Sequence, residues 1–230
     1  SIVTLTKESK KIIINDFKKL SSTIRVIPTC VDNKEFKVHH AKSKSNKITI
    51  GYLGSVDTAY DFNRFCFFLS QLTKKYSDRI SLKVFTKKNQ AYVMEKLKSN
   101  NIDKIDLDIR YIHRNNLPKE LSNFDLLGFY LKENFSISAS MPTKIAEALA
   151  CGTPIICNGF NSDITELIEA NSIGLIYDFE KNLDDDDFLK LENLFKNDRL
   201  RSKCSTVAKN HFSLNFGVNE YNKIYSELTS

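Results

Sequence analysis

A lysine and a glutamate three positions apart are the residues whose type and spacing most clearly suggest chemistry. They are Lys144 and Glu147 in the stretch MPTKIAEALACGTP, residues 141–154. The small and aliphatic residues around them predict a helix over residues 142–151, with both charged side chains on its first two turns. A lysine beside the free amides and positive dipole of a helix start favours a phosphate or diphosphate. A carboxylate one turn deeper repels phosphate but accepts hydrogen bonds from the vicinal hydroxyls of a sugar or ribose.

The boundaries of this helix follow from its proline and its glycine. Pro142 suits the first helical position, where the N–H that proline lacks would have no partner, and Ser140 or Met141 would be the cap. Gly152 suits a left-handed cap at the other end. The helix start therefore predicts a clamp for a nucleotide or sugar nucleotide. The alternative from spacing alone is an exposed i,i+3 salt bridge between the lysine and the glutamate, which contributes a few tenths of a kcal/mol.

Alternating strands and helices must position this segment. Strands are predicted over residues 2–6, 24–28, 48–54, 80–86, 105–113, 125–131, 154–158 and 173–177, and helices over residues 7–19, 58–76, 88–99, 142–151 and 163–170. Pro118 opens a further short helix, and residues 185–228 are predicted to be helical. The pattern predicts an α/β fold, a Rossmann-like doubly wound parallel sheet with a helical C-terminal tail. Ligands bind such sheets at the carboxyl ends of strands, here near Gly54, Thr86 and His113.

The composition is that of a globular protein with a mild positive charge. The chain has 230 residues, 41% of them hydrophobic, and a formal net charge of +6. Its five cysteines include no C-x-x-C pair, which favours a reducing, cytoplasmic compartment. No run of about 18 apolar residues predicts a membrane-spanning helix. Lys7, Lys10, Lys11 and Lys18 fall close to one helical face, which would allow peripheral contact with the inner face of a membrane, although a solvated face is the commoner outcome.

Four segments carry a resemblance to a known family. MPTKIAEALACGTPIICN, residues 141–158, resembles the donor-site helix of the retaining GT-B glycosyltransferases of group 1, family four. SIVTLTKESKKIIINDF and IRVIPTCVDNKEF, residues 1–17 and 24–36, look like the segment that crosses into the second domain of those enzymes. ITIGYLGSV, residues 48–56, is similar to the family's first strand and glycine turn. YIHRNNLPKELSNFDLLGFYL, residues 111–131, matches its pattern of strand, loop, short helix and Asp-led strand.

The resemblance implies the nucleotide-sugar-binding half of a retaining glycosyltransferase. The implied donor-binding residues are Gly54, Ser55, Lys87, His113, Ser140, Met141, Pro142, Thr143, Lys144 and Glu147. Glu147 matches the second glutamate of the family's motif of two glutamates separated by seven residues, and it would bind the ribose hydroxyls. Lys144 and Glu147 are the implied catalytic residues. The substrate would be a UDP- or GDP-linked sugar, and no metal or other cofactor is expected.

The resemblance also implies where the rest of the donor would lie. Backbone amides from Met141 to Lys144 would bind the diphosphate, and Gly54 and Ser55 would face the same group from the first strand. Lys87 would contact a phosphate, and the backbone around His113 would border the base. The enzyme's main task would be to stabilise the charge of the leaving nucleoside diphosphate.

Two departures from the family pattern keep other functions open. The first glutamate of the motif would fall at Ala139, so recognition of the transferred sugar must differ or activity is lost. Family members often carry Arg and Lys after the first glycine turn, whereas this chain has only Arg64 on the following helix. The alternatives are a degenerate, non-catalytic docking module of the same fold and a nucleotide-sugar epimerase, although the arranged His and acid residues of an epimerase are not found.

The resemblance divides the chain into three parts. Residues 1–20 would cross from an N-terminal acceptor domain, residues 21–212 would bind the nucleotide sugar, and residues 213–230 would form a C-terminal helix. A glycan or lipid-linked acceptor would bind to the N-terminal domain, which is expected to be missing from this sequence. Donor binding without turnover is therefore expected, in a pathway of polysaccharide biosynthesis and with no nucleic-acid partner.

An apolar stripe on the last helix gives a separate expectation. It consists of Tyr221, Ile224, Tyr225 and Leu228, which recur at helical spacing. If this stripe normally touches the N-terminal domain, part of it will be exposed in this chain.

Other motif-like patterns have more ordinary interpretations. The run LDDDDF at residues 183–188 and the pair Asp106 and Asp108 spell Asp-x-Asp, a metal motif of another glycosyltransferase fold. The first is predicted at a helix start, where acids are favoured, and the second on the wet face of a strand. Zinc-ligand spacing is absent among His39, His40, His113 and His211. The third glycine of a dinucleotide-binding turn is also absent, so dehydrogenase function is disfavoured.

Overall fold

A six-stranded parallel sheet organises the chain in a computed structural model, which describes residues 1–18, 23–39, 46–102 and 105–229. The strands are β1 (Ile2–Thr4), β2 (Ile24–Val26), β3 (Ile48–Leu53), β4 (Ile80–Phe85), β5 (Asp106–Arg110), β6 (Leu126–Gly128), β7 (Ile155–Cys157) and β8 (Gly174–Ile176). The strand order in the sheet is β5-β4-β3-β6-β7-β8, and β1 and β2 form a separate parallel pair.

The strand order reverses direction between β3 and β6. Chain connections run outward from β3 to β5 on one side and from β6 to β8 on the other, and all the pairings are parallel. This order is that of a doubly wound Rossmann-like sheet, so the predicted fold class is confirmed. The crevice outside the carboxyl ends of β3 and β6 is the place where such sheets bind ligands.

Ten helices connect and follow the strands within the described residues. They are α1 (Lys7–Asp16), α2 (Phe62–Tyr76), α3 (Gln90–Ser99), α4 (Leu117–Ser122), α5 (Phe135–Ser138), α6 (Thr143–Ala150), α7 (Ser162–Asn171), α8 (Asp185–Lys196), α9 (Leu200–Phe212) and α10 (Leu214–Thr229). Helix α2 begins at Phe62, four residues later than predicted, and α5 was not predicted. The apolar positions that predicted α2, including Phe65, Leu69 and Leu72, are fully buried against the sheet.

Helix α6 is buried on nearly every side, which explains its small and aliphatic composition. It packs between β7 and helices α4 and α9, and Ile145, Ala148 and Leu149 have no exposed surface. Pro142 is the N-cap rather than the first helical residue, so the predicted start was early by one position. Gly152 has a φ of +80° and donates its amide to the carbonyl of Leu149 at 2.9 Å, which confirms the left-handed cap.

Helix α1 does not carry the predicted face of four lysines. It ends at Asp16, so Lys18 lies outside it, and Lys7 forms an ion pair with Glu166 of α7 at 2.7 Å. Lys7, Lys10 and Lys11 lie on the helix. Among the residues described, no helix combines the length and the apolar character needed to cross a bilayer.

The stripe on α10 is largely exposed. Tyr221 is 40%, Tyr225 60% and Leu228 63% exposed, whereas Ile224 is buried against the body of the chain. The expectation that part of this stripe is exposed is confirmed. What covers it stays a prediction.

Candidate functional site

A glycine turn at the end of β3 forms one wall of the site. Gly54 has a φ of +122°, a conformation that residues with a side chain rarely adopt. Its amide donates to the carbonyl of Phe85 at 3.0 Å, which fastens the turn to β4. The Tyr52 hydroxyl donates to the carbonyl of Ser55 at 2.7 Å, and the Ser55 and Thr58 hydroxyls hydrogen-bond to each other. The turn is therefore held in a fixed shape by its own sequence.

A cleft of about 510 Å³ opens above the carboxyl ends of β3, β4 and β5. Its lining residues are Leu53, Gly54, Ser55, Val56, Thr58, Phe85, Thr86, Lys87, Lys88, Tyr111 and Ile112. The walls are mostly apolar, and the two lysines supply positive charge at the edge. Of the predicted site residues, Gly54, Ser55 and Lys87 line this cleft. His113 is exposed just beyond it, with its ring 5.1 Å from that of Tyr111.

The start of α6 presents unbonded amides. Within the described part of the chain, no hydrogen bond occupies the amides of Met141, Thr143 or Lys144, whereas the amide of Ile145 donates to the Pro142 carbonyl at 3.1 Å. These amides add to the positive end of the helix dipole. The unbonded amides fall within the range from Met141 to Lys144 that the family resemblance implies, in which Pro142 has no N–H.

Side chains from two other elements fix this segment through its carbonyls. The side-chain amide of Asn161 donates to the carbonyls of Ile137, Ser138 and Ser140 at 3.1, 3.1 and 2.8 Å, and Thr29 donates to the carbonyl of Met141 at 2.7 Å. A peptide group points its C=O and N–H in opposite directions. Binding of the Ser140 carbonyl by Asn161 consequently turns the Met141 amide away from Asn161.

Lys144 lies under the glycine turn and is buried. Its Nζ donates to the carbonyl of Leu53 at 2.6 Å and lies 3.3 Å from the centre of the Tyr60 ring, with Tyr52 and Phe129 also near. Burial holds the pKa of the Lys144 ammonium well below its usual range, while the carbonyl and the ring faces favour the cation. A methyl group built at Gly54 would be 3.4 Å from this Nζ, so the start of α6 and the glycine turn meet here.

Glu147 is also buried, and its ion-pair partner is Arg114 rather than Lys144. Arg114 Nη1 is 2.9 Å from Glu147 Oε1, and Arg114 also lies over the ring of Phe36 and 3.5 Å from Glu35. Glu147 itself is 8% exposed. The alternative of an exposed salt bridge between Lys144 and Glu147 is therefore wrong, because the two side chains reach different partners.

The remaining predicted residues lie at the edges of this arrangement. Met141 is buried and lines a separate groove between α1, α7 and α9, not the cleft. At Ala139, the position of the family's first glutamate, the backbone carbonyl accepts from the hydroxyls of Thr6 and Ser9 at 3.2 and 2.8 Å. The segment between β6 and α6 is therefore tied to the start of α1.

The disfavoured metal motifs are occupied by ordinary contacts. Asp184 caps α8 in a reciprocal arrangement with Asp187, Asp106 pairs with Lys47, and Asp108 pairs with Arg110. No cluster that could hold a metal ion occurs among the described residues. The prediction on His40 lies outside the described part of the chain.

Three important contributors escaped the sequence reasoning. Arg114 in the string YIHRNN was not predicted as a site residue. Its position directly after the predicted strand over residues 105–113 is a signal that could have identified it, because ligands bind at strand ends. Tyr111 and Asn161 gave weaker signals. Tyr111 is the last aromatic residue of the predicted strand over residues 105–113, and it follows the end of β5 in the structure. Asn161 has the residue type of a helix cap, and it does cap α7 by accepting from the Ile164 amide.

Comparisons with known proteins identify the family and support the fold. A family profile described as Glycosyl transferases group 1 matches residues 33–211. No curated protein matches the sequence. A glycosyltransferase from Rickettsia africae superposes with a TM-score of 0.75 and 17% identity over 100% of this chain and 64% of its own.

Two further solved structures match the fold. A mutant of TarM from S. aureus, in complex with fondaparinux, α-GlcNAc-glycerol and UDP, has a TM-score of 0.70 and 16% identity over 98% of this chain and 43% of its own. The C-terminal domain of the group 1 family protein LpcC from Francisella tularensis has a TM-score of 0.55 and 19% identity over 78% of this chain and 95% of its own. This chain thus spans about half of the full-length structures and nearly all of the C-terminal domain.

Proposed function

Because the chain belongs to the glycosyl transferases of group 1, we propose that it binds the nucleoside diphosphate sugar donor of a retaining glycosyl transfer. One observation carries the proposal: the side chain of Lys144 joins the start of α6, whose first amides are unbonded, to the glycine turn of β3 at the switch point of the sheet. A methyl group built at Gly54 in that turn would be 3.4 Å from the Lys144 Nζ. Helix starts of this kind bind phosphates through their amides and their dipole.

The diphosphate would lie between the glycine turn and α6. The amides of Met141, Thr143 and Lys144 would donate to its oxygens, and the buried ammonium of Lys144 would add positive potential behind them. Lys87 at the rim would reach the same anion. In the transfer, the acceptor hydroxyl oxygen would bond to the anomeric carbon and lose its proton while the bond from that carbon to the diphosphate oxygen breaks, and these groups would stabilise the charge that the leaving nucleoside diphosphate gains.

The nucleoside would occupy the rest of the cleft. Its apolar walls and the exposed ring of Tyr111 suit the face of a base, and the backbone near His113 would border the base edge. Glu147 would accept hydrogen bonds from the ribose hydroxyls. The order from base to sugar would then run from the cleft toward the start of α6.

Sugar and acceptor recognition would need more than this chain. No acidic side chain is present at Ala139, so another group must contact the transferred sugar. A glycan or lipid-linked acceptor would bind to a second domain, since the chain spans only 43% and 64% of the two longer structures compared. We place the reaction in the cytoplasm, because the described cysteines are all unpaired thiols.

A nested calorimetric titration tests donor binding. The chain is titrated with uridine, UMP, UDP and UDP-glucose, and with the matching guanosine series. Binding that appears or strengthens as phosphates are added to one base supports the proposal, because each phosphate adds charge-assisted hydrogen bonds. Affinity that is equal for nucleoside and diphosphate would contradict the diphosphate site.

A degenerate docking module is the second candidate. The alanine at position 139 and the small number of cations near the glycine turn favour it. Absence of heat with every nucleotide in the series, from a chain that is folded by circular dichroism, would support this candidate and reject the first.

A further inference from the structure

We propose that Arg114 is a positioning residue for the donor, acting through Glu147. It holds the Glu147 carboxylate in one orientation, with one oxygen engaged and the other available to the ribose hydroxyls. The inference rests on the proposed function, since it assigns Glu147 the ribose. It concerns a residue that neither the family resemblance nor the sequence pattern singled out.

The two oxygens of Glu147 differ in their surroundings. Oε1 accepts from Arg114 Nη1 at 2.9 Å, and Oε2 has no hydrogen bond to any described residue. A carboxylate that is 8% exposed would lose much of its hydration, so an ionised form needs a cation or several donors. Among the described residues, Arg114 is the cation in contact with it. Arg114 therefore engages one oxygen of a buried carboxylate and leaves the other open to a ligand.

Three contacts determine where the Arg114 guanidinium lies. Its Cζ is 4.8 Å from the centre of the Phe36 ring, its Nη1 binds Glu147, and its Nε is 3.5 Å from Glu35 Oε1. Phe36 is fully buried, so it offers a rigid platform. A planar group with donors on two edges can satisfy all three contacts, whereas an ammonium cannot. The arrangement links the loop after β2 to α6 through one side chain.

If Arg114 blocked the ribose site instead of positioning Glu147, its removal would change nucleotide affinity in the opposite direction. If Arg114 were a latch that occupied the ribose site, its removal would expose Glu147 and strengthen nucleotide binding. If it positions Glu147, its removal weakens binding, and the loss is confined to ligands that carry the ribose hydroxyl. The ligand dependence separates a positioning role from a general loss of structure.

The test measures ribose discrimination by calorimetry. UDP and 2′-deoxy-UDP, or the guanosine pair if GDP is the ligand bound, are titrated into the wild-type chain, Arg114→Ala and Arg114→Lys. Arg25→Ala is the matched control, because Arg25 forms an exposed ion pair with Glu227 at 2.7 Å on β2. We expect Arg114→Ala to lose roughly tenfold in affinity for the ribonucleotide and little for the deoxynucleotide. Arg114→Lys should recover part of the loss, and the control should match the wild type.

The outcomes distinguish this inference from the proposed function. Equal weakening of both ligands by Arg114→Ala, no weakening, or tighter binding would overturn the positioning role while leaving donor binding intact. A wild-type chain that binds no nucleotide overturns both. If Arg114→Ala proves unfolded by circular dichroism, Arg114→Lys becomes the deciding variant, because it keeps the positive charge. Unchanged discrimination between the ribonucleotide and the deoxynucleotide in Arg114→Lys would show that the planar guanidinium is not needed, and would overturn the positioning role.

Discussion

The buried ammonium of Lys144 predicts a characteristic dependence of stability on pH. Its pKa is lowered in the folded chain because burial penalises the charged form, whereas an unfolded chain returns it to about 10.4. Between those two values the unfolded state binds more protons than the folded state. The free energy of unfolding therefore rises with pH in this window, and the penalty is fully present below the folded pKa.

Lys144→Met isolates this contribution. Methionine keeps a long flexible side chain in the cavity but cannot titrate. The variant leaves the Leu53 carbonyl without a donor, which costs about 1–3 kcal/mol, while it also removes the cost of burying an amine. These two effects change the free energy of unfolding in opposite directions at neutral pH. The dependence of that free energy on pH is therefore more informative than its value at a single pH. Inside the window, wild-type stability should gain about 1.4 kcal/mol per pH unit relative to the variant.

Urea unfolding followed by far-ultraviolet circular dichroism measures the slope at every pH below 10 at which both proteins fold. Burial raises the pKa of Cys151, Cys157 and Cys204 to about 12, so these thiols lower stability as pH rises. Cys151 and Cys204 do so in both proteins alike, whereas Cys157 interacts with Lys144 and belongs to the difference between them. Only the difference between wild type and variant reports on the lysine. Parallel stability curves over this pH range would refute a buried, titrating Lys144.

Four further substitutions probe the site, its supports and the packing of the sheet. Glu147→Ala should weaken nucleotide binding by about 1.5–3 kcal/mol, and unchanged affinity in calorimetry would make Glu147 structural. Asn161→Ser keeps a helix cap but loses the donors to three carbonyls, so urea unfolding should show a loss of about 2–4 kcal/mol; a loss below about 0.5 kcal/mol would contradict this. Gly174→Ala would place a methyl carbon 1.9 Å from the Ile155 carbonyl oxygen and should cost roughly 2–4 kcal/mol, whereas Gly159→Ala meets only a side chain at 3.2 Å and should cost little. Similar melting temperatures for the two glycine variants would refute the packing argument.

The fold could be predicted from the sequence because local signals agreed with each other. The period-two and buried runs that became β3, β4 and β5 were each bounded by glycine, threonine or polar residues, and the strand ends fell within three residues of the prediction. The start of α2 was misplaced, because residues 58–61, Thr-Ala-Tyr-Asp, contain no glycine or proline that would mark a helix boundary. In the structure those residues belong to the turn, where the amide of Asp61 donates to the Tyr130 carbonyl at 3.0 Å.

The site was harder to predict, because side-chain direction depends on contacts between distant segments. Spacing placed Lys144 and Glu147 on one helix start, but it could not show that the lysine turns toward β3 and the glutamate toward Arg114. The lysine side chain is enclosed by the rings of Tyr52, Tyr60 and Phe129, which lie far from it in the sequence. The glutamate binds Arg114, which is 33 positions earlier in the chain. Local pattern carries no information on such pairings.

The burial of Lys144 limits which groups at the site could bind a phosphate directly. An ammonium that is already bound to the Leu53 carbonyl and enclosed by aromatic rings would have to break those contacts to reach a phosphate directly. When protonated, Lys144 would act on an anion at the glycine turn mainly through space, in a medium of low dielectric constant, and the anion would in turn favour the protonated form. Direct hydrogen bonds to the diphosphate would fall to the amides at the start of α6, which need no reorientation. This division explains how a site with few exposed cations near its glycine turn can still favour an anion there.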